Sequence, residues 1–281
     1  MTIAAGFMNG GSVILASDSR ELIGNYAKKT TQKIKITDYY NNWRFGIVGA
    51  SDDAHYVDLF EADLSRELFK INTFDYSKIH SIIRATLHRI HKQHIWPRPK
   101  GDRPRFSTLI VIQGQKPTPS RSLLVTEESA LLNVREYKSI GIGSYMADYL
   151  HRQAMATIGG TYNASTDFLQ NLAVFILQEV KNSVEGCDDE SLVATFDGVN
   201  GNFRWFTNDE VKEREKWADG YHLAEAELFR AFLNPAISVK QFTDQVATFR
   251  DRVKREKAGQ MKDIARRWEA FMKWQASRQK K

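Results

Sequence analysis

Two short apolar runs, Thr2 to Met8 and Ser12 to Ser17, stand either side of Asn9-Gly10-Gly11. Asn-Gly between such runs is a strong local signal for a β-hairpin, because both residues tolerate positive φ. The first twenty residues are therefore expected inside a β-sheet. They lack the positive region that opens a signal or transit peptide. No apolar run approaches the ~20 residues that span a bilayer. The single cysteine, Cys187, can form no internal disulfide, so a cytoplasmic location is the expectation.

The period then changes twice. Residues 33–37 and the approach to Trp43-Arg44-Phe45-Gly46-Ile47-Val48 read as strands. From Ser51, a plausible N-cap ahead of Asp52 and Asp53, apolar residues recur at helical spacing: Tyr56, Leu59, Phe60, Leu64 and Leu68. A second helix runs from about 76 to 95 and is broken at Pro97. Strands are expected at 105–113, 121–127 and 130–140, helices at 144–157 and 166–183, and strands at 191–196 and 202–206 around a tight Asp197-Gly198 turn. Grouped strands alternating with helix pairs argue against a doubly wound parallel fold. Helix pairs placed between antiparallel blocks would cover both outer faces of two stacked sheets.

After Thr207 the chain reads as charged helix, interrupted at Asn234-Pro235. The net charge of +6 is uneven: residues 239–281 carry 13 Lys and Arg against 5 Asp and Glu, a balance of +8, which leaves −2 for the rest. A basic helix can meet nucleic acid, an acidic protein or a membrane surface, but more often it is a solvated face. No groove-reading or stacking motif accompanies it, so neither nucleic acid nor membrane is expected as a partner. His88, His91 and His94 repeat every three residues, with His80 upstream, yet no carboxylate or cysteine pattern completes a metal set. Gly141-Ile142-Gly143 has no βαβ setting for a dinucleotide. No metal and no cofactor are expected.

Thr2 carries the sharpest chemistry. Removal of Met1 would leave a threonine at the start of a buried strand. Such a residue combines a hydroxyl nucleophile with its own α-amine as base, whose pKa of roughly 7.7–8.0 lies near neutrality. Taken alone, Thr2 reads simply as a β-branched strand residue.

Its neighbours add a pattern. Val13-Ile14-Leu15-Ala16-Ser17-Asp18-Ser19-Arg20, Gly24-Asn25, Lys33-Ile34 and Gly46-Ile47-Val48-Gly49-Ala50 resemble the start of a proteasome β-type subunit, and the smaller bacterial proteasome-like proteins of the N-terminal-nucleophile hydrolase superfamily. The resemblance covers about residues 2–206. It implies an α+β fold, a four-layer α-β-β-α sandwich, followed by a C-terminal helical extension, with the boundary between 207 and 208. It implies a threonine hydrolase cutting peptide bonds, with a peptide or unfolded polypeptide as substrate and a homo-oligomer as the working state.

By the same resemblance Thr2 matches the nucleophile, Asp18 the acid that orients a lysine, Lys33 that lysine, and Gly49, expected at the strand-to-helix turn, the position whose backbone N–H meets an oxyanion. Alternation puts Lys33 and Lys35 on one face, and the resemblance selects Lys33. Two positions depart from the pattern. Ile142 stands where a serine is expected, with Ser144 as a shifted substitute, and Asp188 is the match for a later aspartate. These departures support the alternative of a weak or silent subunit that serves assembly or binding.

Overall fold

The computed structural model describes residues 2–23, 27–30, 32–40, 43–114, 120–156, 160–187, 190–199, 201–234 and 237–278. The architecture is mixed α+β and rests on two five-stranded antiparallel sheets. Strands β1 (Ile3–Met8), β2 (Ser12–Asp18), β3 (Arg20–Ile23), β4 (Ala27–Thr30), β5 (Lys35–Tyr39) and β6 (Trp43–Ser51) come first. Helices α1 (Ala54–Leu68) and α2 (Tyr76–Ile90) follow, the latter running into a π-helical turn, His91–Ile95. Then come β7 (Phe106–Gly114), β8 (Ser120–Glu127), β9 (Ala130–Val134) and β10 (Tyr137–Gly141). The order closes with α3 (Ser144–Met155), α4 (Thr166–Ser183), β11 (Ser191–Asp197), β12 (Phe203–Trp205), α5 (Asn208–Leu233) and α6 (Val239–Arg278). One sheet has the order β10-β1-β2-β11-β12, the other β5-β6-β7-β8-β9, and β3 and β4 form a separate ribbon.

Strand alternation sorts the apolar residues. Ile3, Ala5 and Phe7 of β1 pack with Leu169, Leu172 and Ile176 of α4. Phe45 and Ile47 of β6 pack with Phe60 and Leu64 of α1 and Ile83 of α2. Ala4, Leu15 and Phe196 from one sheet share a cluster with Val48, Leu109 and Val111 from the other. Each sheet therefore buries both faces, which explains why its strands read as nearly continuous apolar runs.

Several expectations are corrected. The hairpin β1–β2 forms, with Met8 opposite Val13, but its turn does not use positive φ at Gly10 or Gly11. Instead the Asn9 Oδ1 accepts from the backbone N–H of Gly11 and Ser12 at 2.8 and 2.6 Å, an Asx turn. Helix α1 is capped by Asp53, whose carboxylate accepts from His55 N, while Ser51 still belongs to β6. The expected strand at 130–140 is two strands in different sheets, because residues 135–136 carry the chain across. Asp197-Gly198 opens a longer connection, with Phe196 opposite Phe203. Among the described residues strands β3 and β4, which are not among the expected strands, pair only with each other.

The chain divides into two compact units, Met1–Arg214 and Glu215–Lys281. The first holds both sheets and α1 to α4; the second is helical. Among the described residues no helix is long and apolar enough to cross a membrane.

Candidate active site

Three elements bring the chemistry together. Thr2 directly precedes β1, Asp18 ends the neighbouring β2, and Lys33 lies two residues before β5. Antiparallel pairing sets Ala4 opposite Ser17, so the start of β1 and the end of β2 meet at one end of their sheet. Thr2 is 5 % exposed and Asp18 fully buried. The Thr2 Oγ1 donates to Asp18 Oδ1. The Lys33 Nζ donates to Thr2 Oγ1 at 2.5 Å and to Asp18 Oδ1 at 2.9 Å. The Ile3 backbone N–H adds a third donor to Asp18 Oδ1 at 3.1 Å. Nothing in the sequence pattern pointed to that amide.

A buried carboxylate is costly unless paired, and this one is held by an ammonium and an N–H. The arrangement fixes a positive charge within hydrogen-bond reach of a threonine hydroxyl. Asp18 Oδ2 is buried with no hydrogen-bond partner among the described residues.

Lys33 and Lys35 do not share a role. Lys33 precedes the strand, so the alternation rule does not reach it. Lys35 pairs instead with Asp58, at 3.1 Å, and with Glu61, both on α1. Burial works to lower the Lys35 pKa, but its bonds to Glu61 and Asp58 outweigh burial and raise it.

Gly49 lies inside β6, opposite Thr108 of β7, rather than at a strand-to-helix turn. The β5–β6 ladder ends with Lys35 opposite Ile47. A Cβ on Gly49 would stand 2.3 Å from Val57 Cγ1 of α1, so the position excludes a side chain.

Ser144 is the first residue of α3, and its backbone carbonyl accepts from Ser139 Oγ at 3.2 Å. No hydrogen bond joins its hydroxyl to Thr2, Asp18 or Lys33 among the described residues. Asp188 lies outside the described residues. Ile142 is 44 % exposed. Gly141, with φ +96°, makes the turn into α3, and a Cβ there would stand 2.1 Å from the Thr2 carbonyl oxygen. Glycine is required on both counts.

Cys187 is buried near this cluster. Burial pushes its thiol up to about 12, and the Asp18 charge adds to the rise. Of the histidines, His91 and His151 are buried, and burial lowers both pKa values. No cluster of metal-ligating side chains is present among the described residues.

No family model and no curated protein matches this sequence. Solved structures do match in shape. Anbu (ancestral beta-subunit) from Yersinia bercovieri is similar with a TM-score of 0.65 at 12 % identity, over 84 % of this chain and 99 % of that one. A Gly-1 mutant of Anbu from Hyphomicrobium sp. strain MC1 gives 0.63 at 10 % identity, over 80 % and 97 %. A helical assembly of the Anbu complex from Pseudomonas aeruginosa gives 0.62 at 11 % identity, over 80 % and 96 %. These neighbours correct the resemblance to a proteasome β-type subunit: Anbu is a related group, distinct from proteasome β subunits. What the likeness establishes is the fold, which this chain shares with these Anbu structures.

Proposed function

We propose that this chain is an N-terminal threonine hydrolase that cleaves peptide bonds through an acyl-enzyme on Thr2. The observation that carries the reading is the buried triangle of Thr2 Oγ1, Asp18 Oδ1 and Lys33 Nζ at the head of β1. Once Met1 is removed, the freed α-amine accepts the Oγ1 proton as Oγ1 attacks the substrate carbonyl carbon. Lys33, held by Asp18, favours the developing alkoxide. The Gly49 N–H is assigned to the tetrahedral oxyanion. Collapse breaks the C–N bond, and the amine leaves with the proton. Water, deprotonated by the same α-amine, then attacks the ester; an acid leaves and Thr2 is restored. Ser144 and Asp188 are the residues assigned to orienting that amine. No cofactor enters the scheme.

The wider reading is a four-layer α-β-β-α sandwich over residues 1–207, with residues 208–281 as a basic helical extension. The three apolar clusters support the layering. A polypeptide substrate, a cytoplasmic location and a homo-oligomer complete it, the last supported by the assembled Anbu neighbour. The test is intact mass together with an electrophilic peptide epoxyketone. Purified protein lacks Met1 and is labelled at Thr2, and Thr2→Ala abolishes labelling with the fold intact. Met1 retained throughout the preparation sinks the mechanism, because the amine would then be an amide. A second reading, a weak or silent subunit, is favoured by Ile142 in the turn and by the lack, among the described residues, of a hydrogen bond from the Ser144 hydroxyl to the triangle.

A further inference from the structure

Tyr137, Ser139 and Gly141 alternate along β10, so the pleat presents them on one face. That face meets α3 in order. The Tyr137 ring stacks on His151, with centroids 3.8 Å apart and planes at 5°. The Ser139 hydroxyl donates to Asp148 Oδ1 and lies 3.2 Å from the Ser144 carbonyl oxygen. Gly141 then turns the chain into α3. Ser144, Asp148 and His151 follow one another at spacings of four and three, so they share the side of α3 that meets the strand.

The turn between these elements, Gly141-Ile142-Gly143, lies directly on the residue proposed as nucleophile. Gly141 pairs with Ile3 and abuts the Thr2 carbonyl. A Cβ on Gly143 would stand 3.2 Å from the Ile3 Cβ. Neither glycine puts a side chain between the turn and the head of β1, so a shift of the turn passes straight to Thr2. On another side the turn has room to move, since Gly141 and Ser144 line a cavity of about 650 Å³. The start of α3 is not held by a cap of its own either. Gly143 stands at the N-cap position, where no side-chain hydrogen bond is made.

The Ser139 hydroxyl supplies the missing anchor. Ser139 is 4 % exposed, and its single proton has two acceptors within reach. The Asp148 carboxylate is the stronger, and the Ser144 carbonyl is the second. Both belong to the first two turns of α3, so one strand residue fixes where the helix begins. A buried hydroxyl that loses its acceptor keeps its desolvation penalty, so the pair resists separation.

We propose that Ser139 and Asp148 are positioning residues: their bond staples α3 to β10 and so holds the Gly141–Gly143 turn against Thr2, setting the place from which Oγ1 attacks. The inference rests on the hydrolase reading for the chemistry that Thr2 performs, and not for the staple itself.

The test follows labelling of Thr2 by the peptide epoxyketone over a range of probe concentrations, with backbone amide hydrogen exchange read by mass spectrometry on the same full-length proteins. Ser139→Ala and Asp148→Ala each lower the maximal labelling rate at least about tenfold, because misplacement by ~1 Å costs on the order of a hundredfold in rate. The half-saturating probe concentration stays the same. The double variant loses no more than either single one, since both act through one bond. Asp148→Asn keeps an acceptor oxygen and returns the rate to within about threefold of the unsubstituted chain. Exchange quickens over residues 142–147 and over residues 3–5 in both alanine variants. Unchanged labelling in Ser139→Ala, additive losses in the double variant, or Asp148→Asn no better than Asp148→Ala overturns the proposal and leaves the hydrolase reading standing. An unsubstituted chain that takes no label removes the hydrolase reading, and exchange then decides alone: faster exchange over both segments in the alanine variants sustains the staple, and unchanged exchange over either overturns it.

Discussion

At the scale of single residues, Lys33 and Lys35 show how little spacing decides and how much a strand boundary does. Two positions apart, they send their ammonium groups to a buried threonine and to a half-exposed pair of carboxylates on α1. Lys33→Ala is expected to lower peptidase activity on the order of 10³-fold or more, and Asp18→Asn to resemble it, with the double variant far from additive because both act through one group. Lys35→Ala removes partly exposed ion pairs and is expected to cost about 1 kcal/mol or less of stability, with activity retained. Full activity in Lys33→Ala would move the role elsewhere. Cys187 gives a second check. With its thiol pushed up to about 12, native alkylation at pH 8 should be slower than in denaturant by on the order of a hundredfold or more; rapid native labelling would place the thiol in water. His151 gives a third. It stacks on Tyr137 at 3.8 Å and its Nε2 lies 2.8 Å from Thr161 Oγ1. Burial lowers its pKa, so the unfolded chain binds the extra proton first as pH falls. Stability is therefore full above the unfolded histidine value of ~6.5 and declines as pH drops below it. Melting temperature should be lower at pH 5.5 than at 7.5, and the difference should shrink in His151→Phe. A pH difference unchanged by that substitution would assign the acid sensitivity to other groups.

At the scale of elements, sequence periodicity located the helices because their caps and apolar stripes are local. Asp75 and Ser165 cap α2 and α4 through their side chains, and Tyr56, Phe60, Leu64 and Leu68 form the buried stripe of α1. The triangle of Thr2, Asp18 and Lys33 was legible only through resemblance, since nothing local tells a lysine before a strand which residue it will meet. What failed were features set by distant partners. The split of β9 from β10 is decided by which sheet has room for each strand, and β3–β4 is a ribbon outside both sheets. Gly49 was expected at a turn, yet its constraint comes from Val57 across the β6–α1 contact. That contact makes a prediction. Gly49→Ala drives a Cβ into Val57 and is expected to destabilise by about 1–3 kcal/mol, and Val57→Ala in the same chain should recover most of the loss. Chemical denaturation of the single and double variants reads it. A neutral Gly49→Ala would mean that α1 shifts freely, and would remove steric exclusion as the reason for a glycine here.

At the scale of the molecule, the open question is what α6 covers. Forty helical residues extend about 60 Å, and a charged helix of that length has little reason to persist alone in water. Val239, Val246 and Val253 recur every seven residues and are 84 %, 39 % and 37 % exposed. Phe242 and Phe249 follow the first two valines by three, so the apolar seam has the spacing by which helices pair along their length. The flanks are basic, which discourages a tight bundle of identical helices at low salt and favours docking where acidic groups can meet them. Contact with a neighbouring copy is the expected use, in keeping with the proposed oligomer. Deleting residues 236–281 should then lower the oligomeric mass seen by light scattering at moderate salt, while circular dichroism shows the sheets still folded. Exchanging Val246 for Glu places a charge in the seam without shortening the helix and should give the same loss. An oligomer unchanged by both, or a full-length chain that is monomeric at micromolar concentration, would return α6 to its own chain or to an acidic partner of another kind.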